Sequence, residues 1–160
     1  MSNELLVQAT IRHLLRAEQE RLYPHGAKAM PEIKTLAEKA QRVFGHEKGH
    51  TSLQKLEGLA LRTDLVTDIL DFVKRQTGKK GSAERWQTER FGFELVALIE
   101  GPLQRRAEEL AKSPALTQLP NQPYRPDELR LLVWLELTRT AISHLVAHAR
   151  FAAAGQNGGR

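Results

Sequence analysis

His46-Glu47-Lys48-Gly49-His50 has the H-E-x-x-H order of zinc-dependent hydrolases. In such a site both histidines share one face of an unbroken helix and reach one Zn²⁺, while the glutamate between them activates a bound water. Here Gly45 and Gly49 bracket and pierce the motif, and each glycine costs a helix about 1 kcal/mol relative to alanine. Thr51-Ser52-Leu53-Gln54, just downstream, has the form of a capping box that opens a new helix. The motif therefore reads as a linker between two helices. No strong third ligand follows it, since Glu57 falls on the next predicted helix. A small zinc-dependent hydrolase using His46, Glu47 and His50 stands as the alternative reading.

A second pair, His144 and His148, lies four apart in a helical pattern, a spacing compatible with a shared metal. Metal sites among packed helices usually add carboxylates from facing helices. Glu94 and Glu100 are the nearest candidates by helix position, but nothing in the sequence places them opposite. The simpler reading is a pair of partly buried histidines satisfied by hydrogen bonds. Asp64, Asp68 and Asp71 open a short helical pattern, where acids complement the helix dipole. Phosphate-binding glycine loops and the G-x-S-x-G elbow are missing. The chain contains no cysteine, which removes thiol catalysis, disulfides and cysteine-based metal sites. No catalytic residue, bound metal or cofactor is expected, and the chain does not read as an enzyme.

The elements that would position any site are helical throughout. The 160 residues are 41% hydrophobic, a length and content that suit one compact core. Ser2 caps a first pattern in which Leu5, Leu6, Ile11, Leu14 and Leu15 share a face, ending near Tyr23-Pro24. Pro31 opens a second, with Ile33, Leu36, Ala37, Ala40, Val43 and Phe44 in phase, and Gly45 placed to end it in the left-handed conformation. Leu53, Leu56, Leu59 and Ala60 mark a third helix. Leu65, Val66, Ile69, Leu70, Phe72 and Val73 mark a fourth, which Gly78 ends. Ser82 is expected to cap a long helix from about Ala83 to Lys112, kinked or divided at Gly101-Pro102. Four prolines make 113–126 a loop. The last helix, about Asp127 to Ala153, is apolar on most sides and so central. The expected fold is an all-α, single-domain bundle of about five to six helices over residues 1–154, with a flexible tail at 155–160.

No basic leader with an apolar run opens the sequence, and the apolar stretch 131–147 is broken by Glu136, Arg139 and His144. Neither a secretion signal nor a membrane span is expected, and the expected location is cytoplasmic. Net charge is +5. Between Lys74 and Arg90 stand six basic residues (Lys74, Arg75, Lys79, Lys80, Arg85, Arg90) against Glu84 and Glu89, so this window alone carries +4. Clustered cations of this kind are a footprint of polyanion binding; a solvated loop would look the same in sequence. Lys55 and Arg62 on the preceding helix extend the candidate surface. The helix start at Ser82 would add N–H groups that favour phosphate. Trp86 could stack on a base, but it shares helical spacing with Phe93 and Ala97 and reads as core.

Within this region Thr51 to Trp86 resembles the small helical subunits of type III CRISPR effector complexes. The features that carry the resemblance are a Thr/Ser-capped short helix with Gln54 and Lys55, and a second helix ending in Lys74, Arg75, Gln76, Gly78 and Lys79. The resemblance implies a non-catalytic subunit that stacks in several copies along a ribonucleoprotein, touching the crRNA–target RNA duplex and neighbouring protein subunits. The RNA contacts it implies are Lys55, Arg62, Lys74, Arg75, Lys79 and Lys80, with Arg85 added from the charge pattern. The H-E-x-x-H segment and the proline-rich loop have no counterpart in that family. A helical adaptor that binds only protein through leucine-rich faces is the third reading.

Overall fold

The computed structural model describes residues 2–45, 51–79 and 84–157, and among them the fold is all-α. Helix α1 (Asn3–Leu22) starts at Ser2, whose hydroxyl accepts from Leu5 N, and it turns Val7, Ile11, Leu15, Glu18 and Leu22 inward. Leu5, expected on that face, is 60% exposed because the buried stripe runs through Val7 instead. Helix α2 (Pro31–Phe44) buries all six apolar residues expected of it. Gly45 ends it in the right-handed region (φ −70°), not the left-handed one, with its N–H donating to Gln41 O.

Helix α3 (Thr51–Arg62) begins at Thr51 itself, so Ser52 lies inside the helix rather than before it. Three residues then reverse the chain into α4 (Val66–Gly78). Thr63 holds the reversal: its hydroxyl donates to Asp68 Oδ2 at 2.6 Å and accepts from Leu65 N at 3.1 Å. Arg139 secures the end of α3 from outside, donating to the Ala60 and Thr63 carbonyls at 2.7 and 2.5 Å.

The long helix expected from Ala83 to Lys112 is divided twice. A one-turn α5 (Glu84–Gln87) is followed by a 3₁₀ turn at Thr88–Arg90 and then α6 (Phe91–Leu98). The second break is a π turn at Ile99–Leu103, at the expected Gly101-Pro102, and α7 (Gln104–Ala111) follows. Trp134 Nε1 donates to Ile99 O at 2.8 Å, tying α9 to the π turn. The segment expected to be a loop contains a one-turn α8 (Pro114–Thr117), capped by Ser113 and pinned by the fully buried Leu116.

Helix α9 (Pro126–Asn157) has 32 residues, about 48 Å of helix at 1.5 Å per residue. It packs against α1, α2, α3, α4 and α7, as expected of the central element. Seven helices of eight residues or more are present among the described residues, against the five to six expected. The excess comes from the π turn that separates α6 from α7. The helix also continues to Asn157, so it takes in the first residues of the expected tail. One buried apolar cluster runs from Val7 on α1 to Ala149 on α9. None of the described helices is long and apolar enough to cross a membrane.

Candidate nucleic-acid interface

Five of the seven expected contact residues are solvent-exposed: Lys55, Arg62, Lys74, Arg75 and Lys79. Arg85, on α5, is half-buried, and Lys80 lies outside the described residues. Lys74 and Arg75 sit in the last turns of α4, and Lys79 caps it in an extended conformation. Cations there meet the negative end of the helix dipole. Lys74 is not wholly available, because its Nζ donates to Glu100 Oε1 at 3.1 Å. Arg62 does not join this group. It precedes α4, and the 13 residues of that helix set Arg62 about 20 Å from Lys79 along its axis. The Ser82 helix start also lies outside the described residues.

Across from the end of α4 stands a surface that the sequence reading missed. Glu89 and Arg90 both take positive φ, 53° and 59°, a strained choice for residues with side chains. Helix α2 holds them there. Arg42 Nε and Nη2 grip the Glu89 carboxylate at 3.0 and 2.8 Å, while Lys39 Nζ donates to Glu89 O at 2.9 Å and to Glu94 Oε1 at 2.6 Å. The hydrogen bond from Arg42 keeps the Glu89 carboxyl below the usual carboxylate range and raises its own pKa in return.

The left-handed pair rephases the helix that follows. Phe91 turns into the core, and Phe93 turns outward at 49% exposure. The Arg90 guanidinium lies 4.8 Å from the centre of the Phe93 ring, within cation–π range. Phe93 therefore is not the core residue its spacing from Trp86 implied. A signal was present: Phe91, Leu95, Leu98 and Ile99 keep a helical phase of their own. Trp86 stands five residues before Phe91, a separation that one helix face cannot accommodate.

Trp86 itself is core, only 1% exposed. It packs edge-on against Phe44, Phe72 and Phe91, with ring centres 5.4, 6.4 and 5.7 Å away, and its Nε1 donates to Ser52 Oγ at 3.2 Å. That bond ties the start of α3 to α5, so the Ser52 hydroxyl serves as a tether. Stacking of a base on Trp86 is closed off. Between α4 and α6 opens a pocket of about 310 Å³ lined by Lys74, Thr77, Gly78, Gly92, Phe93 and Val96. Its back wall requires Gly92, since a Cβ there would come within 1.9 Å of Thr77 Oγ1.

The two histidine motifs fare differently. His46, Glu47 and His50 lie outside the described residues. His144 and His148 face the α1–α2 connection rather than Glu94 or Glu100, which are engaged by Lys39 and Lys74. His144 Nε2 meets Gln19 Oε1 at 3.1 Å, and His148 Nδ1 donates to His144 O at 3.0 Å. Tyr23 packs edge-on against both rings, and His25 lies over His148 with centres 4.5 Å apart. Burial lowers the pKa of both helix histidines. Among the described residues no group of three or more potential ligands is arranged to hold a metal ion.

Fold and surface together define an all-α protein with a cationic helix end beside an exposed aromatic. No protein family, curated protein or solved structure matches the chain.

Proposed function

We propose that this chain is a non-catalytic RNA-binding subunit of a ribonucleoprotein, of the kind that Thr51–Trp86 resembles in type III CRISPR effector complexes. It contacts RNA through phosphates rather than by reading base edges, and any cleavage chemistry resides in other subunits. The supporting observation is the group of exposed cations Lys74, Arg75 and Lys79 around the end of α4, with Arg90 stacked on Phe93, which lines the adjoining pocket. A guide–target RNA duplex, neighbouring protein subunits and further copies of the chain are the partners in this reading. Lys55 extends the contact from α3. Arg62, at the far end of α4, belongs to a different part of the surface and contributes less.

The test is RNA binding by fluorescence anisotropy across a salt series, with single-stranded and duplex RNA. A single-strand slope of about −0.7 per neutralised phosphate means that replacing Lys74, Arg75 and Lys79 by alanine should flatten log K against log salt by about 2. An unchanged slope would remove this surface from the interface. Absence of binding to either RNA at low salt would refute the reading for the isolated chain and favour a protein-only adaptor.

A further inference from the structure

The pocket between α4 and α6 has features that phosphate binding does not use. Phe93 is half exposed although a buried position lies two residues away at Phe91. Its ring carries the Arg90 guanidinium and forms one wall of a space of about 310 Å³. The other walls are largely apolar or backbone: Val96, Thr77, Gly92 and Gly78. That volume is at the lower end of small-ligand pockets, too small for a peptide helix and adequate for one flat heterocycle. Lys74 lines the rim, and Arg75 and Lys79 continue from it along α4.

We propose that this pocket takes one base of a single-stranded RNA, stacked against Phe93, while the surrounding cations hold the phosphates on either side. The inference rests on the RNA-binding reading and narrows it. An aromatic platform flanked by positive charge is how proteins grip single strands without reading sequence, because every base offers a flat face. Bases inside an A-form duplex are stacked on one another and unavailable. The pocket therefore selects an unpaired nucleotide, such as a single-stranded segment or a base displaced from a guide–target duplex. Selection is by strand state and not by base identity, since among the described residues no side-chain donor or acceptor other than the Thr77 hydroxyl and the Lys74 ammonium lines the pocket. The Thr77 hydroxyl is already donated to Val73 O at 2.7 Å.

Two substitutions separate the ring from the cavity. Phe93→Ala removes the platform from an exposed position and leaves the charge of the surface unchanged, with Lys74, Arg75 and Lys79 in place. Gly78→Leu keeps the ring and adds a bulky side chain at a residue that lines the space; it is tolerated because a Cβ at Gly78 meets nothing within 4 Å and the helix gains a better former. Binding is measured by anisotropy with fluorescein-labelled oligouridylate, an abasic oligonucleotide of equal phosphate number, and an RNA duplex, and folding of each variant is checked by its thermal transition. Both variants should weaken oligouridylate binding roughly 5- to 150-fold, the range of one base–aromatic stack. The salt slope and the affinity for the abasic strand should not change. Phe93→Trp should restore affinity and place an indole whose fluorescence is quenched by oligouridylate and not by the abasic strand.

If the parent binds all three probes with a steep salt slope and Phe93→Ala leaves oligouridylate binding intact, the stacking pocket is overturned and the phosphate reading stands. Loss in Phe93→Ala with none in Gly78→Leu would place the stack outside the cavity and overturn the assignment to this pocket. A parent that binds none of the three at low salt overturns the RNA-binding reading itself.

Discussion

Glu18 is 4% exposed on α1, and among the described residues its charged partner comes from 88 residues away. Arg106 on α7 grips it bidentately, Nε to Oε2 at 2.9 Å and Nη2 to Oε1 at 2.5 Å. The third donor direction is used as well, by Nη1 to Glu109 Oε2 at 2.6 Å. The pair joins α1 to α7, and its hydrogen bonds raise the Arg106 pKa above the usual guanidinium value. Arg106→Leu strands a carboxylate that water cannot reach. Breaking a buried pair in this way costs about 3–5 kcal/mol, a large part of the about 5–15 kcal/mol that stabilises a typical domain. At about 2–4 °C per kcal/mol for a chain of this size, Tm should fall by about 6–20 °C. Glu18→Leu should cost less. The guanidinium it leaves behind still holds Glu109, and its side chain is 27% exposed. The double variant should lie close to the parent, because a buried ion pair replaced by apolar residues is often neutral. Urea unfolding followed through Trp86 and Trp134, which are both buried, gives the three stabilities. If Arg106→Leu stays within about 1 kcal/mol of the parent, or the double variant loses the sum of the singles, the argument from desolvation fails.

Three further outcomes are expected. Gly92→Val should lower stability by about 1–3 kcal/mol through overpacking, since even a Cβ would meet Thr77 Oγ1 at 1.9 Å and Trp86 O at 3.0 Å; an unchanged urea midpoint would mean that α4 and α6 can separate at no cost. Arg139→Leu removes the donors to the Ala60 and Thr63 carbonyls and should cost about 1.5–3 kcal/mol, with faster amide exchange over residues 60–65 as the local readout. Burial lowers the folded-state pKa of His144 and His148 below the usual 6.5, so the unfolded chain binds protons first as pH falls. That contribution is complete above about pH 6.5 and is lost progressively on acidification. His148 Nδ1 donates to His144 O, and its buried Nε2 has no partner among the described residues, so none of those residues is placed to accept a hydrogen bond from a proton added at Nε2. Thermal melts between about pH 7.5 and 5 should show a shallower fall for His148→Gln than for the parent, and parallel curves would sink the attribution.

The helices were legible because apolar residues recur at three and four, and α2 shows this most fully, with all six inward positions identified from spacing. The central place of α9 followed from its lack of a polar face. Pro102 lacks a backbone donor and so announced the second break. The first break had no glycine or proline to announce it. It is held by Lys39 and Arg42, 50 and 47 residues upstream, partners that sequence spacing does not reveal, so only the shift of phase between Trp86 and Phe91 marked it. The misplacement of Phe93 follows from that one omission, because a straight helix through Glu89 and Arg90 carries Trp86 and Phe93 on one face. Glu18 was likewise unreadable, since an acid in a helix is ordinarily a solvated one. Charge clustering did locate the cations of α4, but sequence proximity drew Arg62 into a group from which the length of α4 separates it.

The bend between α5 and α6 also bears on the order in which the chain assembles. Two side-chain-bearing residues in the left-handed region cost about 1–3 kcal/mol each. The groups that compensate them come from α2, at sequence separations of 47 to 50. No glycine or proline stands in 84–91 to break the helix locally, so the backbone of that stretch can by itself continue as one straight rod. Its final shape is imposed by a template that a ribosome delivers first, so α2 is already waiting when the segment emerges. A circular permutant opened in the α2–α3 connection, with α2 synthesised last, would have to bend a rod already formed. Its folding during synthesis should then be slower than that of the parent, at equal final stability.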